Sequence, residues 1–145
     1  MNMFVSCGCQ KKFDRIVFYH YEPEENGHRK SKYVMQIPKG YELEKVGAGG
    51  EKGIEDKYIY SDSSIIYITD FFNTPNEENI NNQEGIKSKK LIALSEGKEL
   101  ILEGSNNGKF WKEIILKNGI KIGYIGVSEK RKPEFEKAIH SFRNK

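Results

Sequence analysis

Short runs of β-branched and aromatic residues make up most of this 145-residue chain, and clusters of polar residues, glycine and proline separate them. Runs of this kind are typical of β-strands, because such side chains fill a pleated surface well. The pattern predicts strands at residues 15–21, 33–37, 41–46, 57–60, 65–69, 99–103, 109–117 and 120–127, a turn at 22–27 and a glycine-rich loop at 47–53. Residues 73–85 are polar and rich in asparagine, which predicts a mobile loop or a short helix with frayed ends.

The C-terminal third predicts an antiparallel meander followed by a helix. Asn-Gly pairs at 107–108 and 118–119 favour tight hairpin turns. A helix at 132–143 is indicated by Pro133 in its first turn and by one apolar stripe, formed by Phe135, Ala138, Ile139 and Phe142. The fold class we expect is α+β, an antiparallel sheet with the C-terminal helix packed on it.

The length is that of one domain, which we place at residues 13–145 after a tether at 1–12. Phe4-Val5-Ser6-Cys7 resembles the end of a bacterial lipoprotein signal. Cys7 is therefore the predicted lipidated residue, and Cys9, in a poorer match, is the alternative. Only six residues precede Cys7, fewer than the basic start and apolar core of a signal peptide need, so we expect a true start further upstream or a shortened chain.

Three other interpretations of this segment stay open. It could be a disordered cytosolic N-terminus, or the first half-turn of a strand. It could also be half of a Cys-x-Cys metal site with His20 or His28, although two thiolates need further ligands at defined spacing. Under the lipoprotein interpretation the domain lies in the cell envelope, periplasmic or at the outer membrane, and contacts the membrane only through its lipid anchor. Without a signal it is cytoplasmic.

The order of elements resembles PsbP-like domains. The matching pieces are residues 37–41 (Ile-Pro-Lys-Gly-Tyr), 110–113 (Phe-Trp-Lys-Glu), 119–127 and 135–142, so the resemblance covers roughly residues 31–143. It implies an α/β/α sandwich, and many bacterial members are lipoproteins that act by binding. The family brings no catalytic residues. The strand at 15–21 and the segment at 73–85 fit its pattern least well.

Charge divides the chain into two unequal parts. Residues 1–86 carry 10 Lys/Arg and 14 Asp/Glu, whereas residues 87–145 carry 14 Lys/Arg and 7 Asp/Glu. A basic region can attract anionic lipid, nucleic acid or an acidic protein. The simpler interpretation is a solvated surface, because no block of five like charges occurs.

No complete catalytic motif occurs in the sequence. The loop at 47–53 has Lys52 where a dinucleotide fingerprint needs its third glycine, and a strand instead of a helix is predicted after it. His20 falls in a strand, His28 in a turn and His140 near the end of the last helix. A small hydrolase would need two of these histidines at one pocket, beside a nucleophile and a carboxylate.

The remaining polar groups are predicted to lie at the surface, and the remaining aromatic groups are predicted to lie in the core. The acidic pairs at 24–25, 55–56 and 77–78 are predicted to be solvated turn residues, and Asp62 with Ser63 and Ser64 to form a hairpin turn without calcium. Aromatic residues beside lysines can stack on nucleic acid, but on strands they are more often core. The residues concerned are Tyr58, Tyr60, Tyr67, Trp111 and Tyr124.

The sequence therefore predicts a non-enzymatic envelope lipoprotein that binds another protein, of which an immunity-type inhibitor of a toxin is a specific version. The observations are the lipoprotein-like start, the lack of a catalytic set, and a sheet rich in Tyr and Trp, which are common at interfaces. The alternatives are a small-molecule or metal-handling accessory lipoprotein and a small hydrolase. No cofactor, metal or nucleic acid is expected.

Overall fold

The computed structural model describes residues 12–47 and 53–145, and its helices and strands follow a βββββααβββαβ order. The elements are β1 (Phe13–Glu24), β2 (Gly27–Pro38), β3 (Tyr41–Val46), β4 (Glu55–Tyr60), β5 (Ile65–Thr69), α1 (Glu77–Asn81), α2 (Ile86–Glu96), β6 (Leu100–Asn106), β7 (Lys109–Ile115), β8 (Lys121–Val127), α3 (Lys132–His140) and β9 (Arg143–Asn144). Cys7 and Cys9 lie outside the described residues, so the tether and the lipidation site stay predictions.

The strands form two sheets, both antiparallel, where the sequence predicted one. The larger sheet has the order β3-β4-β5-β8-β7-β6, and the smaller has the order β1-β2-β9. Two local meanders, β3–β5 and β6–β8, join along β5 and β8 to make the larger sheet. Turn residues specify hairpins, but they do not specify which hairpin edges meet, so this division was not readable from the pattern. The α+β class, with antiparallel sheets and a C-terminal helix, is confirmed.

The two faces of the larger sheet bury different partners, because side chains alternate across a strand. One face packs on the β1–β2 hairpin and α3, and we call it the apolar face. The opposite face packs on α1 and α2, and we call it the mixed face. The apolar face contributes Tyr58, Tyr60, Ile66, Ile68, Ile122 and Tyr124 to the main core, and the mixed face contributes Leu102, Trp111 and Ile115 to a smaller one.

Helix α3 lies beside strand β2 and is shorter than predicted. Phe135, Ala138 and Ile139 of its apolar stripe are buried as expected, and the partly buried Phe142 stacks on Tyr33 at 4.9 Å between ring centroids. The helix ends at His140, however, and Arg143 belongs to β9, opposite Val34. The chain leaves the helix here because the edge of β2 offers unpaired backbone groups for β9.

The first hairpin is longer than predicted. Strands β1 and β2 pair over twelve positions from Phe13↔Pro38 to Glu24↔Gly27, so the predicted turn at 22–27 shrinks to residues 25–26. Pro23 does not break β1, because β1 is an edge strand and proline is tolerated there. His28 consequently lies on β2 and not in a turn.

Helix α2 was not predicted. At several of its positions the burial is the reverse of what the side chain favours, since Leu91 and Ile92 are exposed while Lys90 is buried. A helix without one apolar stripe gives no clear periodic signal. The preceding segment at 73–85 contains α1, which matches the short-helix alternative. In the part of the chain that the structure describes, no helix is long and apolar enough to cross a membrane.

Candidate functional site

A cavity of about 670 Å³ lies at one end of the larger sheet, beneath the tip of the β1–β2 hairpin. The strand ends at β5 and β8 form its floor, and α2 reaches it from the mixed face. Its polar lining comprises His20, His28, Asp70, Asn118 and Lys121, and its apolar lining comprises Tyr21, Pro23, Phe71, Phe72 and Leu94. Five separate parts of the chain, one of them Gly53, therefore converge on one open cleft.

His20 is held between two carboxylates. It lies on the inward side of β1, in line with Ile16 and Phe18, and is buried. Its Nδ1 lies 3.2 Å from Oδ2 of Asp70, and its Nε2 lies 3.7 Å from Oε1 of Glu22. The distance to Asp70 is that of a hydrogen bond, whereas the distance to Glu22 is that of an ion pair and is too long for a hydrogen bond.

Asp70 directly follows β5 and is fixed from two sides. Its Oδ1 accepts a hydrogen bond of 2.7 Å from the backbone N–H of Ile54, and its Oδ2 faces His20. Burial raises the pKa of Asp70, but the bonds from His20 and Ile54 and the charges of His20 and Lys121 outweigh it, so the pKa is lowered. Gly53 permits this approach, because a Cβ there would overlap Asp70 and the Phe71 ring.

Lys121 closes the floor of the cavity at the start of β8. Its Nζ donates to the backbone carbonyls of Phe71 at 2.7 Å and Gly119 at 2.9 Å. Burial lowers the pKa of this lysine, and the positive charge of Lys90 adds to that effect. An ammonium has three N–H groups, so Lys121 retains one donor beyond these two bonds.

A buried polar network on the mixed face supports the cavity from behind. Glu113 accepts hydrogen bonds from the hydroxyls of Tyr67, at 2.6 Å, and Thr74, both on its Oε1. Its Oε2 lies 3.1 Å from Nζ of Lys90, which is also 2.9 Å from Glu77. Burial raises the pKa of Tyr67 well above its usual range. The network ties α1 and α2 to the sheet, and α2 supplies Leu94 to the cavity.

Asn76 completes this network just before α1. Its Nδ2 lies 2.8 Å from the Tyr67 hydroxyl and 3.1 Å from the backbone carbonyls of Lys112 and Tyr124. Asn76 thus ties the residue directly before α1 to three neighbouring strands of the sheet, β5, β8 and β7. Lys90 also lies 5.9 Å from the ring of Phe72, which lines the cavity, so network and cavity are adjacent.

Two of the three histidines meet at this cavity. His20 and His28 both line it, whereas His140 lies on the last turn of α3 with its Nδ1 3.1 Å from the backbone oxygen of Glu136. A hydrolase would need two histidines at one pocket beside a nucleophile and a carboxylate, and the cavity brings together the two histidines and the carboxylate of Asp70. Among the lining side chains of the described residues, none is Ser, Thr or Cys. Asp70, Phe71 and Lys121 were not predicted, and only Asp70 carried a signal, as a polar residue directly after a predicted strand.

The acidic pair at 55–56 is not solvated, so that prediction is wrong. Glu55 and Asp56 lie on β4 and are buried. Asp56 is paired with Nζ of Lys45 at 2.9 Å. Burial raises the pKa of Glu55, against a hydrogen bond from Thr69. Asp62 behaves as predicted, since its Oδ1 accepts from the Ser64 amide at 3.0 Å inside the β4–β5 turn.

The aromatic residues singled out on strands are core residues. All five are buried, namely Tyr58, Tyr60, Tyr67, Trp111 and Tyr124. The prediction that they belong to the core is confirmed. They do not provide the Tyr- and Trp-rich interface that was the argument for a protein partner, so that support is lost.

The glycine-rich loop falls mostly outside the described residues, but the strand predicted after it is present as β4. Within residues 12–47 and 53–145, no group of three or more His, Cys, Asp or Glu side chains could hold a metal ion. No protein-family model, curated protein or solved structure matches the chain.

Proposed function

We propose that this protein is a non-enzymatic binding domain that takes a small organic ligand into the cavity beneath the hairpin tip. The observation that supports this function is the cavity itself. Its volume of about 670 Å³ falls in the range of small-molecule sites, and an apolar wall with a few converging polar groups is typical of them. This reverses the order of the sequence-based hypotheses, in which a protein partner came first.

The lining favours a ligand with a flat apolar body and one acceptor group. The rings of Phe71 and Phe72 offer faces for stacking. Lys121 retains one N–H beyond its two backbone bonds and the Asn118 amide retains one beyond its bond to Tyr33, whereas Asp70 is already engaged by His20 and Ile54. A carboxylate meets these donors better than an ammonium does, because charge-assisted hydrogen bonds to a carboxylate are the stronger ones.

Naphthalene derivatives test both parts of this proposal. The probe is 1-anilinonaphthalene-8-sulfonate fluorescence, with 1-naphthoate, 1-naphthalenemethanol and 1-naphthylmethylamine as competitors. We expect naphthoate to displace the probe at the lowest concentration and the amine at the highest. Phe72→Ala is expected to weaken binding, whereas Ile101→Ala, at an equally exposed position on the edge strand β6, leaves it unchanged. Probe binding that does not saturate, or that both variants alter equally, would reject the site.

The PsbP-like fold and the location in the cell envelope are part of the same proposal. The PsbP-like α/β/α sandwich is supported by helices on both faces of the larger sheet, α1 and α2 on one and α3 on the other. A lipid anchor at Cys7, or at Cys9, is supported by the signal-like residues before it. Intact mass of the protein purified from envelope, with Cys7→Ser and Cys9→Ser compared, tests the anchor: a diacylglyceryl mass lost in only one variant identifies the residue.

A protein partner is the second candidate, and one observation favours it. Strand β3 is an edge strand whose Leu43 and Val46 are exposed, by 48% and 42%. An open strand edge with apolar side chains can accept a strand from another chain. Affinity capture from detergent-solubilised envelope should then return a stoichiometric partner with the native protein and lose it with Leu43→Lys, but keep it with Lys87→Glu.

A further inference from the structure

The outer side of the smaller sheet carries a cluster of cations. Arg15 and Tyr19 alternate with the buried Ile16 and Phe18 on β1, so they point away from the core. Cross-strand neighbours share a face, and Tyr19 stands opposite Lys32 and Tyr21 opposite Lys30. We call the set of Arg15, Lys30, Lys32, Arg143 and Lys145 the outer basic face.

Strand β9 brings the last two cations into this cluster. Arg143 stands opposite Val34, and the backbone N–H of Lys145 donates to the carbonyl of Lys32 at 2.8 Å. The charge of Arg15 lowers the pKa of Lys145, with smaller contributions from desolvation and from the charges of Lys32 and Arg143. These side chains are therefore close enough to repel one another.

Within β1, β2 and β9, all of which the structure describes, no outward-facing side chain is acidic. The outward positions of β1 and β2 between residues 15 and 36 hold Arg, Lys, Tyr, Val, Gln, Pro and His, none of which is acidic. The acidic residues of the hairpin lie at its two ends, where Asp14 is near Lys39, and Glu22 and Glu24 are near Arg29. Lys30 lies 4.1 Å from the ring centroid of Tyr19, which holds its charge over the centre of the face.

We propose that the outer basic face docks on a membrane surface that contains anionic lipid headgroups. A cationic, sheet-formed face complements such a surface, and each Lys or Arg near it adds to the attraction. The choice of a membrane rests on the proposed lipid anchor. From Cys7 to Phe13 the chain spans at most roughly 20 Å, so an anchored β1 would begin close to the bilayer, and Arg15 follows two residues later.

Vesicle binding by unlipidated protein tests the face independently of the anchor. The full chain carrying Cys7→Ser and Cys9→Ser is sedimented with phosphatidylcholine vesicles that either contain or lack phosphatidylglycerol. We expect binding only to the anionic vesicles, and less of it at high salt, because salt screens exposed charges. Absence of binding to anionic vesicles would overturn the proposal, whatever becomes of the lipid anchor.

Charge reversal locates the binding face. Arg15→Glu with Lys32→Glu is expected to lower the partition coefficient roughly tenfold or more. The control is Lys87→Glu with Lys89→Glu, the same change in net charge at exposed positions of α2, on the opposite side of the molecule. If circular dichroism shows that the reversed variant is unfolded, Arg15→Gln with Lys32→Gln replaces it. Equal loss in patch and control variants would overturn the proposal. So would preferential binding to a single-stranded oligonucleotide over the vesicles.

Discussion

Different kinds of interaction stabilise the two faces of the larger sheet. The apolar face buries isoleucines and aromatic rings against the β1–β2 hairpin and α3, with Tyr60 and Tyr124 both in contact with Phe135. The mixed face buries charges, since Lys90 and Glu113 are almost wholly inaccessible beneath α1 and α2. Burial of apolar surface is roughly additive and non-directional. Buried charges are stable only with every partner in place.

The two faces differ in how tightly the placement of the groups packed on them is constrained. Many arrangements satisfy an apolar face, because one methyl group can replace another. The mixed face accepts few, since Glu113 needs Tyr67, Thr74 and Lys90 together. The helices over the mixed face are therefore fixed in place. One of them, α2, carries Leu94 to the cavity, so the shape of the candidate site depends on the network.

The strongest test of this contrast is to remove Lys90. Lys90→Met preserves much of the side-chain volume but leaves Glu113 without its buried counter-charge. We expect a loss of about 3–5 kcal/mol in the free energy of unfolding, measured by urea denaturation. The variant that adds Glu113→Gln should regain more than about 1 kcal/mol of this loss, because the unpaired charge is gone. A double variant less stable than Lys90→Met would contradict the account.

A second test places a methyl group inside the network. Gly123 lies on the mixed side of β8, and a Cβ there would overlap the carbonyl oxygen of Lys112 and the hydroxyl of Tyr67. Gly123→Ala should therefore destabilise the protein by about 1–3 kcal/mol, measured by thermal and urea unfolding. A Gly123→Ala variant that is as stable as the native protein would show that the network can shift. The mixed face would then tolerate a change in packing as well as the apolar face does.

The contrast also explains what the sequence could predict. The apolar face follows local rules, so β4, β5 and the stripe of α3 were placed correctly. The mixed face breaks those rules, because a buried Lys90 beside exposed Leu91 and Ile92 removes the helical pattern of α2. The cavity depends on distant contacts, such as His20 with Asp70, fifty residues apart. Such contacts leave no local pattern in the sequence, so the sequence indicates His20 as a candidate residue but not its contact with Asp70.

A conservative change on the apolar face gives the loss in the free energy of unfolding with which the mixed-face variants are compared. Ile68 is fully buried on β5, with its side chain opposite to that of Tyr67. Ile68→Val removes one methylene group and is expected to cost about 0.5–1.5 kcal/mol, by the same urea titration. A larger loss than that of Lys90→Met would reverse the proposed ranking of the two faces.

The smallest expected effect concerns an exposed ion pair, which contrasts with the buried one. Asp62 lies 2.9 Å from Arg131 and its side chain is 38% exposed. Burial acts to raise its pKa, but the hydrogen bonds from Ser64 and the nearby Arg131 lower it from 3.8 to about 2. A carboxyl with a lowered folded pKa stabilises the protein above its unfolded pKa, and this contribution is lost as the pH falls through the folded pKa.

Asp62→Asn should therefore be less stable than the native protein at pH 7, by no more than about 1 kcal/mol because solvent screens the pair. The deficit should shrink as the pH falls from near 4 to near 2, where the native Asp62 becomes protonated and loses the same attraction. Urea unfolding across this pH range measures it, with Glu129→Gln, an equal charge change at an exposed position, as the control. A deficit that stays constant down to pH 2 would mean that the Ser64 hydrogen bonds, and not the charge on Asp62, carry its contribution.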